Sequence, residues 1–539
     1  MADKVSMQLE YGRIEKLVVR LGLGKIVGEI QPVTGGLMHR MYHVDTDQGT
    51  FAIKALNMQI MNRPGAKENF ARAEKLEQIL EDYDLPIIPA LRFDGKKMQE
   101  EEGHYYYLYN WHEGTSTEWD MISENQCFQV GKILGKMHAI DAKNVPAEEA
   151  EKYAFSPIGF SDFFGKAREN KSPLANILAE HLAVLDKAQE RVAAAGRKLP
   201  SMSAISDGDL DPKNVMWLDG DPSVIDLECL DYANPIQAAI ELSLQWAGVV
   251  TGSFKKENLS AFFRGYLEAY DNGYRSYDEI YGLAYRNWVE WLEYNLGRAL
   301  ASEDPDAVTL GESEVKNTLK IIDCLDRSEQ EICRFFREEL PPVDPKRFDT
   351  HDERLCYFEI MFQGSLEHIP DYPLPEGYRF VRYQPGDRNA WIEIEKSAKE
   401  FKTWEQGENA WKRYYEKYED MLPERMYFIE NRSGIKVATA TAFFDIYGRD
   451  TSGDGWLHWV AVRREEQGKG LSKPLITRVL KRMKELGYSR AKIPTQTTTW
   501  LACKIYYDLG FRPIPKNLEN SRAGWKMLEG LTGMRIGEA

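Results

Sequence analysis

The stretch SDGDLDPKNVMW, Ser206 to Trp217, sets Asp207, Asp209 and Asp211 within five residues and follows them with Lys213 and Asn214. Like charges this close repel, so a chain keeps them together where a metal or a cation offsets the repulsion. The continuation, MWLDGDPSVIDLE, reads as an apolar strand that ends in Asp226 and Glu228. An Asp/Pro/Lys/Asn cluster alone is an ordinary polar turn. Followed at this distance by a strand closing on Asp-x-Glu, it reads as a site. Asp209 would accept the proton of a hydroxyl, and Asn214 and Asp226 would offer hard oxygen ligands to Mg²⁺.

Phosphoryl transfer needs a cradle over the phosphates, a cation on them, oxygen ligands for the metal, and a group that orients the attacking hydroxyl. Upstream, TGGLMHR places Gly35 and Gly36 between two strand-like segments. Their amides would approach a phosphate there, or serve a plain hairpin turn. In FAIKAL, Lys54 sits inside an apolar strand. A buried lysine needs a partner. Glu74, in the helical pattern KENFARAEKLEQILEDY, would supply it, and an edge lysine facing solvent is the alternative.

These residues resemble the aminoglycoside phosphotransferase superfamily, the protein-kinase-like small-molecule kinases, over about residues 25–335. That family's catalytic loop reads His-Gly-Asp-Leu-x-x-x-Asn, and here Asp207 stands in the place of His. The resemblance implies a small β-rich lobe and a larger helical lobe. It also implies ATP or GTP as donor, Asp209 as catalytic base, and Asn214 and Asp226 on Mg²⁺. Lys54, paired with Glu74, would grip the α- and β-phosphates, with Gly35 and Gly36 above them. A hinge in YYYLYNWHEG (residues 105–114) would meet the purine through Leu108, Asn110 and Trp111, and GKILGKMHAI would be a helix ending near His138. The departure at Asp207 keeps a second reading open, in which this part binds nucleotide with weak turnover or none.

Late in this part, RNWVEWLEYNLGRAL carries Trp288, Trp291 and Tyr294 beside Glu290 and Glu293 at helical spacings. Aromatic faces and carboxylates would hold an amine of the acceptor, and a packed helix with core tryptophans and solvated glutamates is the alternative.

Near the other end, WLHWVAVRREEQGKGLSKP runs from a strand through a basic, glycine-containing turn into the helical SKPLITRVLKRMKELG. A helix start preceded by glycines presents amides and a dipole to an anion. A strand AKIPTQTT and a helix WLACKIYYDLGF come next. This succession resembles the GNAT superfamily of acetyl-CoA-dependent N-acetyltransferases over about residues 376–515. The family's Gln/Arg-x-x-Gly-x-Gly/Ala falls on Gln467, Gly470 and Ser472, and its Tyr-x-x-x-Gly-Phe on Tyr506 to Phe511. The resemblance implies a pyrophosphate held by the backbone from Val462 and Gln467 through Gly468, Lys469 and Gly470 to Ser472, with Tyr506 protonating the leaving thiolate. His458 would serve as base for the incoming amine, with Asp445 as the next choice.

The chain has 539 residues, enough for two or more domains. We expect an α+β protein: a bilobal kinase-like domain over 1–340, a Pro-bracketed linker with a short helix over 341–375, and an α/β GNAT domain with a mixed central sheet over 376–539. The net charge of −16 is uneven, about −19 in residues 1–350 and about +3 beyond. That disfavours nucleic acid and anionic membranes and favours a cationic small molecule, or simply solubilises the surface. Six scattered cysteines without a Cys-x-x-Cys pair suggest reduced thiols. No run is long and apolar enough to span a bilayer, so a cytoplasmic address is expected. Aminoglycoside-like compounds, bearing hydroxyls, amines and positive charge, are the leading acceptor class, and choline-like and amino-sugar acceptors remain open.

Overall fold

In HYYYLYN every second side chain faces the same way, and this alternation organises the first sheet. The computed structural model describes residues 2–33, 39–145, 155–515 and 518–536. Gly35 and Gly36 lie outside the described residues. The chain divides into two units, Met1–Asp271 with Tyr277–Pro341, and Asn272–Ser276 with Pro342–Ala539.

The first unit opens with a helix, Ala2–Arg20, ahead of the strand-rich stretch. An antiparallel sheet follows: β1 (Gln31–Val33), β2 (Arg40–Thr46), β3 (Gly49–Ala55), β4 (Gln99–Glu101) and β5 (His104–Asn110), in the order β1-β2-β3-β5-β4. Phe51, Ile53, Tyr106 and Leu108 pack on Ile14, Leu17 and Val18 of that helix. On the opposite face Tyr107 joins Phe70 of the helix Ala66–Glu81, with Tyr105 and Tyr109 beside them. Lys54 is paired in register with Tyr107, so cross-strand geometry puts it on this second face.

The helical part contributes a short strand, β6 (Thr115–Ser116), against β9 (Val215–Leu218), and β7 (Lys143–Asn144) against β8 (Met202–Asp207). β10 (Asp221–Val224) completes a hairpin with β9, and β11 (Leu230–Ala233) pairs with β8. Asp219 and Gly220 both have positive φ, which a two-residue hairpin turn requires. Behind these strands the helices Glu124–Ile140 and Lys256–Ala269 cross at backbone contact. A Cβ on Gly131 would lie 2.1 Å from the Phe262 carbonyl oxygen, and one on Gly265 would lie 2.0 Å from that of Phe128.

The second unit is built on one sheet: β12 (Glu359–Ser365), β13 (Arg379–Arg382), β14 (Met426–Glu430), β15 (Lys436–Phe443), β16 (Gly455–Val462), β17 (Arg490–Gln496) and β18 (Arg512–Ile514). Its order is β13-β14-β15-β16-β17-β12-β18. Only β16 and β17 run parallel, which makes the sheet mixed. Within 341–375 the helical part is one 3-10 turn, Pro345–Arg347, and no α-helix follows it: residues 359–365 are β12, an inner strand between β17 and β18. Aromatic and β-branched residues such as Phe358, Ile360 and Phe362 favour a pleated, buried surface. Partners 125–153 residues away in sequence, which no local pattern reveals, supply that surface.

The glycine crossing sets an expectation for stability. Gly265→Ala should destabilise the first unit by about 1–3 kcal/mol through overpacking, seen as a lower thermal midpoint; an unchanged midpoint would contradict the close crossing.

Candidate active sites

Asp207 closes β8 fully buried. Its Oδ1 accepts the Asp209 amide at 3.0 Å, and Oδ2 has no hydrogen-bond partner among the described residues. Burial pushes this carboxyl up to about 7. His138, from the helix Glu124–Ile140, stands behind the loop and bridges the hydroxyls of Tyr266 (2.8 Å) and Ser206 (3.2 Å). Burial lowers it to about 3, so the imidazole is neutral.

Asp209 is held from two sides. Asn214 Nδ2 donates to its backbone oxygen (2.7 Å) and to Oδ2 (3.0 Å), and Lys213 Nζ lies 3.1 Å from Oδ1. Lys213 also reaches Asp211 Oδ2 at 3.3 Å, and burial raises Asp211 to about 6. With its nitrogen committed to Asp209, Asn214 has Oδ1 left to offer a cation. The Ile225 amide bonds the Asn214 carbonyl (2.9 Å), which fixes Asp226 beside the loop. Asp226 takes left-handed φ/ψ of 61° and 61°, a strained geometry that aspartate tolerates better than most residues.

Lys54, 4% exposed, lies between Asp226 Oδ1 (2.7 Å) and Glu228 Oε1 (3.0 Å). Glu228 Oε2 is 3.4 Å from His39 Nε2. The Asn57 amide donates to His39 Nδ1 at 3.0 Å, which leaves the ring proton on Nε2, facing Glu228. The expected Lys54–Glu74 pair is absent. Tyr107, opposite Lys54 in the ladder, donates to Glu74 Oε1 at 2.7 Å, and Asp226 and Glu228 neutralise the lysine instead. Leu108 is likewise no cleft residue. Its side chain packs on the N-terminal helix and its carbonyl accepts the Leu91 amide at 2.7 Å. Asn110 and Trp111 follow at the end of β5, where Trp111 Nε1 donates to Glu113 (3.1 Å).

In the second unit, β16 ends at the buried Val462, whose carbonyl accepts Gln467 Nε2 at 3.1 Å. Gly468 and Gly470 have φ of +75° and +81°, a region that suits glycine. The amides of Gly468, Lys469 and Gly470 meet no protein acceptor among the described residues. Lys469 Nζ is tied to Glu466 at 2.7 Å, and the helix Ser472–Glu485 begins immediately after the turn. Free amides at a helix start suit an anion.

The sequence profile of the phosphotransferase enzyme family matches residues 29–280, and that of the acetyltransferase (GNAT) family matches residues 391–511. The chain joins a phosphotransferase-family domain to a GNAT-family domain. It is thus a kinase-type phosphotransferase and an N-acetyltransferase in one polypeptide. No curated protein matches the chain. Among solved structures, it is similar to a spectinomycin phosphotransferase bound to ADP and spectinomycin, with 14% identity, a TM-score of 0.44, and coverage of 59% of this chain and 98% of that one. It is also similar to an ethanolamine kinase of Plasmodium vivax (18%, TM-score 0.37, 55% and 83% covered). A macrolide 2'-phosphotransferase of Brachybacterium faecium is a third (17%, TM-score 0.35, 56% and 97% covered). These likenesses are distant, and the assignment rests on the two family matches.

In the phosphotransferase domain the helix Arg286–Ala301 buries Val289, Leu292, Asn295, Leu296 and Ala299. Trp291 and Tyr294 are exposed and stacked at 5.5 Å, with Glu290 and Glu293 exposed beside them and Trp288 half-buried. Trp291 Nε1 donates to Glu314 (3.1 Å), and Arg286 Nε lies 3.2 Å from Glu290. Glu241 joins this helix through Asn287, at 3.1 Å, and burial raises it to about 7.

In the GNAT domain β16 and β17 are bonded only at Gly455↔Ala491 and Trp456↔Lys492. Beyond that they line a cavity of about 400 Å³ with His458, Trp459, Pro494, Thr495 and Gln496. The β15 ladder shifts register between Thr439 and Thr441, and Trp459 adopts φ of +48°, so a bulge turns β16 at this point. Tyr506 and His458 both line this cavity. Burial lowers His458 to about 4, and its Nδ1 has no partner among the described residues. Asp445 instead closes its own loop, accepting the amides of Tyr447, Arg449 and Asp450. Glu395 and Glu400 also line the cavity, and the reading of the sequence did not single them out. The available signal was periodicity: Glu395 falls four residues after Trp391, on the stripe its helix buries.

The Asp207 carboxyl gives a pH dependence. Its ordinary value is 3.8 and its folded value about 7, so the native state binds the extra proton between these limits. Its contribution to stability therefore falls as pH rises from about 4 to 7 and is level above. Asp207→Asn should raise the thermal midpoint at pH 8, by up to roughly 4 kcal/mol of stability, and leave it near wild type at pH 4; equal midpoints at pH 8 would contradict this.

Proposed function

We propose that the phosphotransferase domain moves the γ-phosphoryl of ATP or GTP, with Mg²⁺, onto a hydroxyl of a cationic, amine-bearing acceptor of aminoglycoside type. The GNAT domain would acetylate an amine from acetyl-CoA. The observation that carries the first part is the convergence of three segments: the loop that pairs Asn214 with Asp209, the end of the hairpin that carries Asp226, and β3, whose Lys54 bonds Asp226.

The residues fit a magnesium ion. Asn214 Oδ1 and Asp226 are hard oxygen donors on segments that the Ile225 amide and the Asn214 carbonyl tie together, and among the described residues no group of three His, Cys, Asp or Glu forms a closed metal cage. Two protein oxygens suit an ion that keeps several positions for water and phosphate. Bound there, Mg²⁺ would neutralise charge on the phosphate oxygens. Asp209, oriented by Asn214, would take the proton of the acceptor hydroxyl. Lys54 would contribute its charge to the phosphates, with Glu228 keeping the ammonium in place. The acidic first part and the exposed Trp291, Tyr294, Glu290 and Glu293 support a cationic acceptor.

In the GNAT domain the free amides from Gly468 to Gly470 would hold the pyrophosphate of acetyl-CoA, and Tyr506 would give its proton to the leaving sulfur. Burial raises the Tyr506 phenol, which keeps it protonated until that moment. The second reading, nucleotide binding without turnover, draws on Asp207 in the place of the family's His.

Two variants separate these readings. Asp209→Asn should lower kcat for ADP or GDP release in the presence of acceptor by about 10²–10⁴-fold while nucleotide affinity is kept. Nucleotide binding in wild type with no acceptor-dependent release would favour the second reading. Tyr506→Phe should cut CoA release by about 10²-fold with CoA affinity unchanged, and activity equal to wild type would remove Tyr506 from the chemistry.

A further inference from the structure

The cavity between β16 and β17 contains buried acid without an internal countercharge. Glu395 is 1% exposed and lines it, and its Oε1 has no hydrogen-bond partner among the described residues. Glu400 is returned to the same cavity by the end of the helix Arg388–Ser397. There the Lys399 amide bonds Lys396 O (3.1 Å), the Glu400 amide bonds Glu395 O (3.0 Å), and Lys399 takes φ of +71°. This is a Schellman stop with lysine in the place that glycine usually fills. The strain is accepted at the residue that brings the second carboxylate to the first.

No lysine or arginine is among the residues lining the cavity. The nearest imidazole to Glu400, His351, is 3.8 Å away and has its Nδ1 hydrogen-bonded to the Ala398 carbonyl at 3.0 Å. Burial pushes the Glu395 carboxyl well above the ordinary carboxylate range and raises that of Glu400, which Gln496 also hydrogen-bonds, so a proton stands where a ligand cation would bring the countercharge. Tyr357, Tyr414 and Trp459 complete the walls, and aromatic faces attract cations. A volume of about 400 Å³ is in the range of small-molecule sites. Anionic acceptors would face three carboxyl groups, Glu359, Glu395 and Glu400.

Resting on the acetyl-transfer reading above, we propose that this cavity binds the acetyl acceptor as a primary ammonium, held by Glu395 and Glu400, and that Glu395 takes the proton that frees the nitrogen. As the ammonium settles beside it Glu395 releases its own proton to solvent; the nitrogen then gives one proton to the carboxylate so formed and becomes a neutral amine. Its lone pair then forms the N–C bond to the thioester carbonyl carbon, and the C–S bond breaks with its electron pair on sulfur. Tyr506 passes its proton to that sulfur and recovers one from the new amide nitrogen. The carboxyl keeps that proton after the amide leaves and gives it to solvent when the next ammonium arrives.

The test uses the full-length protein with acetyl-CoA and kanamycin, spermidine or hexylamine as acceptor, and hexanol as the uncharged counterpart. CoA affinity is measured in parallel by titration calorimetry. We expect at least one amine to be acetylated and hexanol not. Glu395→Gln and Glu400→Gln should each lower kcat/KM for the amine, Glu395→Gln by about 10²-fold, with CoA affinity held within about twofold. Glu395→Asp should recover part of the loss. Either glutamine variant suffices if the other fails to fold. Variants that keep wild-type kcat/KM, preference for hexanol, or no acetylation of any amine by a protein that binds CoA would overturn the proposal. Failure of the wild type to bind CoA would overturn the acetyl-transfer reading beneath it, a separate outcome.

Discussion

The Lys54 ammonium, out of water and pinned between Asp226 and Glu228, is the contact around which the first unit is arranged. Moving an ion out of water costs several kcal/mol unless close opposite charges and hydrogen bonds replace the solvent. Here the replacement comes from the far side of the chain. Asp226 and Glu228 reach Lys54 only because the β9–β10 hairpin ends in a left-handed residue and Asn214 holds Ile225 in place. The helix Ala66–Glu81 is pinned in turn by Lys97, 1% exposed, which is 2.8 Å from Glu77. Glu77 also accepts the Ala90 amide at 2.7 Å. A charge network of this kind contributes little to stability on balance, but it specifies one arrangement of strand, loop and helix.

The crowding of Asp207, Asp209 and Asp211 follows the same logic. Each acid is met by a donor: the Asp209 amide for Asp207, Asn214 and Lys213 for Asp209, and the same Lys213 for Asp211. Their environments differ, so burial raises Asp207 and Asp211. In the second unit a sheet feature does comparable work. Parallel strands that bond at only two residue pairs and then separate open a gap in the middle of a sheet, and a bulge at Trp459 turns side chains into it.

Much of this was legible in the sequence. The Asp209 to Asn214 spacing, the strand ending in Asp226, Lys54 within FAIKAL, and the glycine turn before Ser472 are local patterns, and local patterns survive folding. What was missed depends on distant parts of the chain. Glu74 looked like the partner of Lys54 because a helix follows the strand, but the cross-strand neighbour Tyr107 claims it. Leu108 looked like part of a hinge, yet strand alternation turns it onto a helix the sequence did not announce. Residues 359–365 carried no turn signal tying them to strands far downstream, and they form an inner strand of the second sheet. Glu395 was a carboxylate on an apolar helical stripe, a signal that was present and passed over.

The central claim is that one chain transfers two different groups to small molecules, and the mass of the acceptor tests it most directly. Kanamycin incubated with the full-length protein, Mg²⁺, a nucleoside triphosphate and acetyl-CoA should gain a phosphoryl increment that requires the nucleotide and an acetyl increment that requires acetyl-CoA. An unmodified acceptor across a panel of polyhydroxylated amines, from protein that binds both donors, would contradict it.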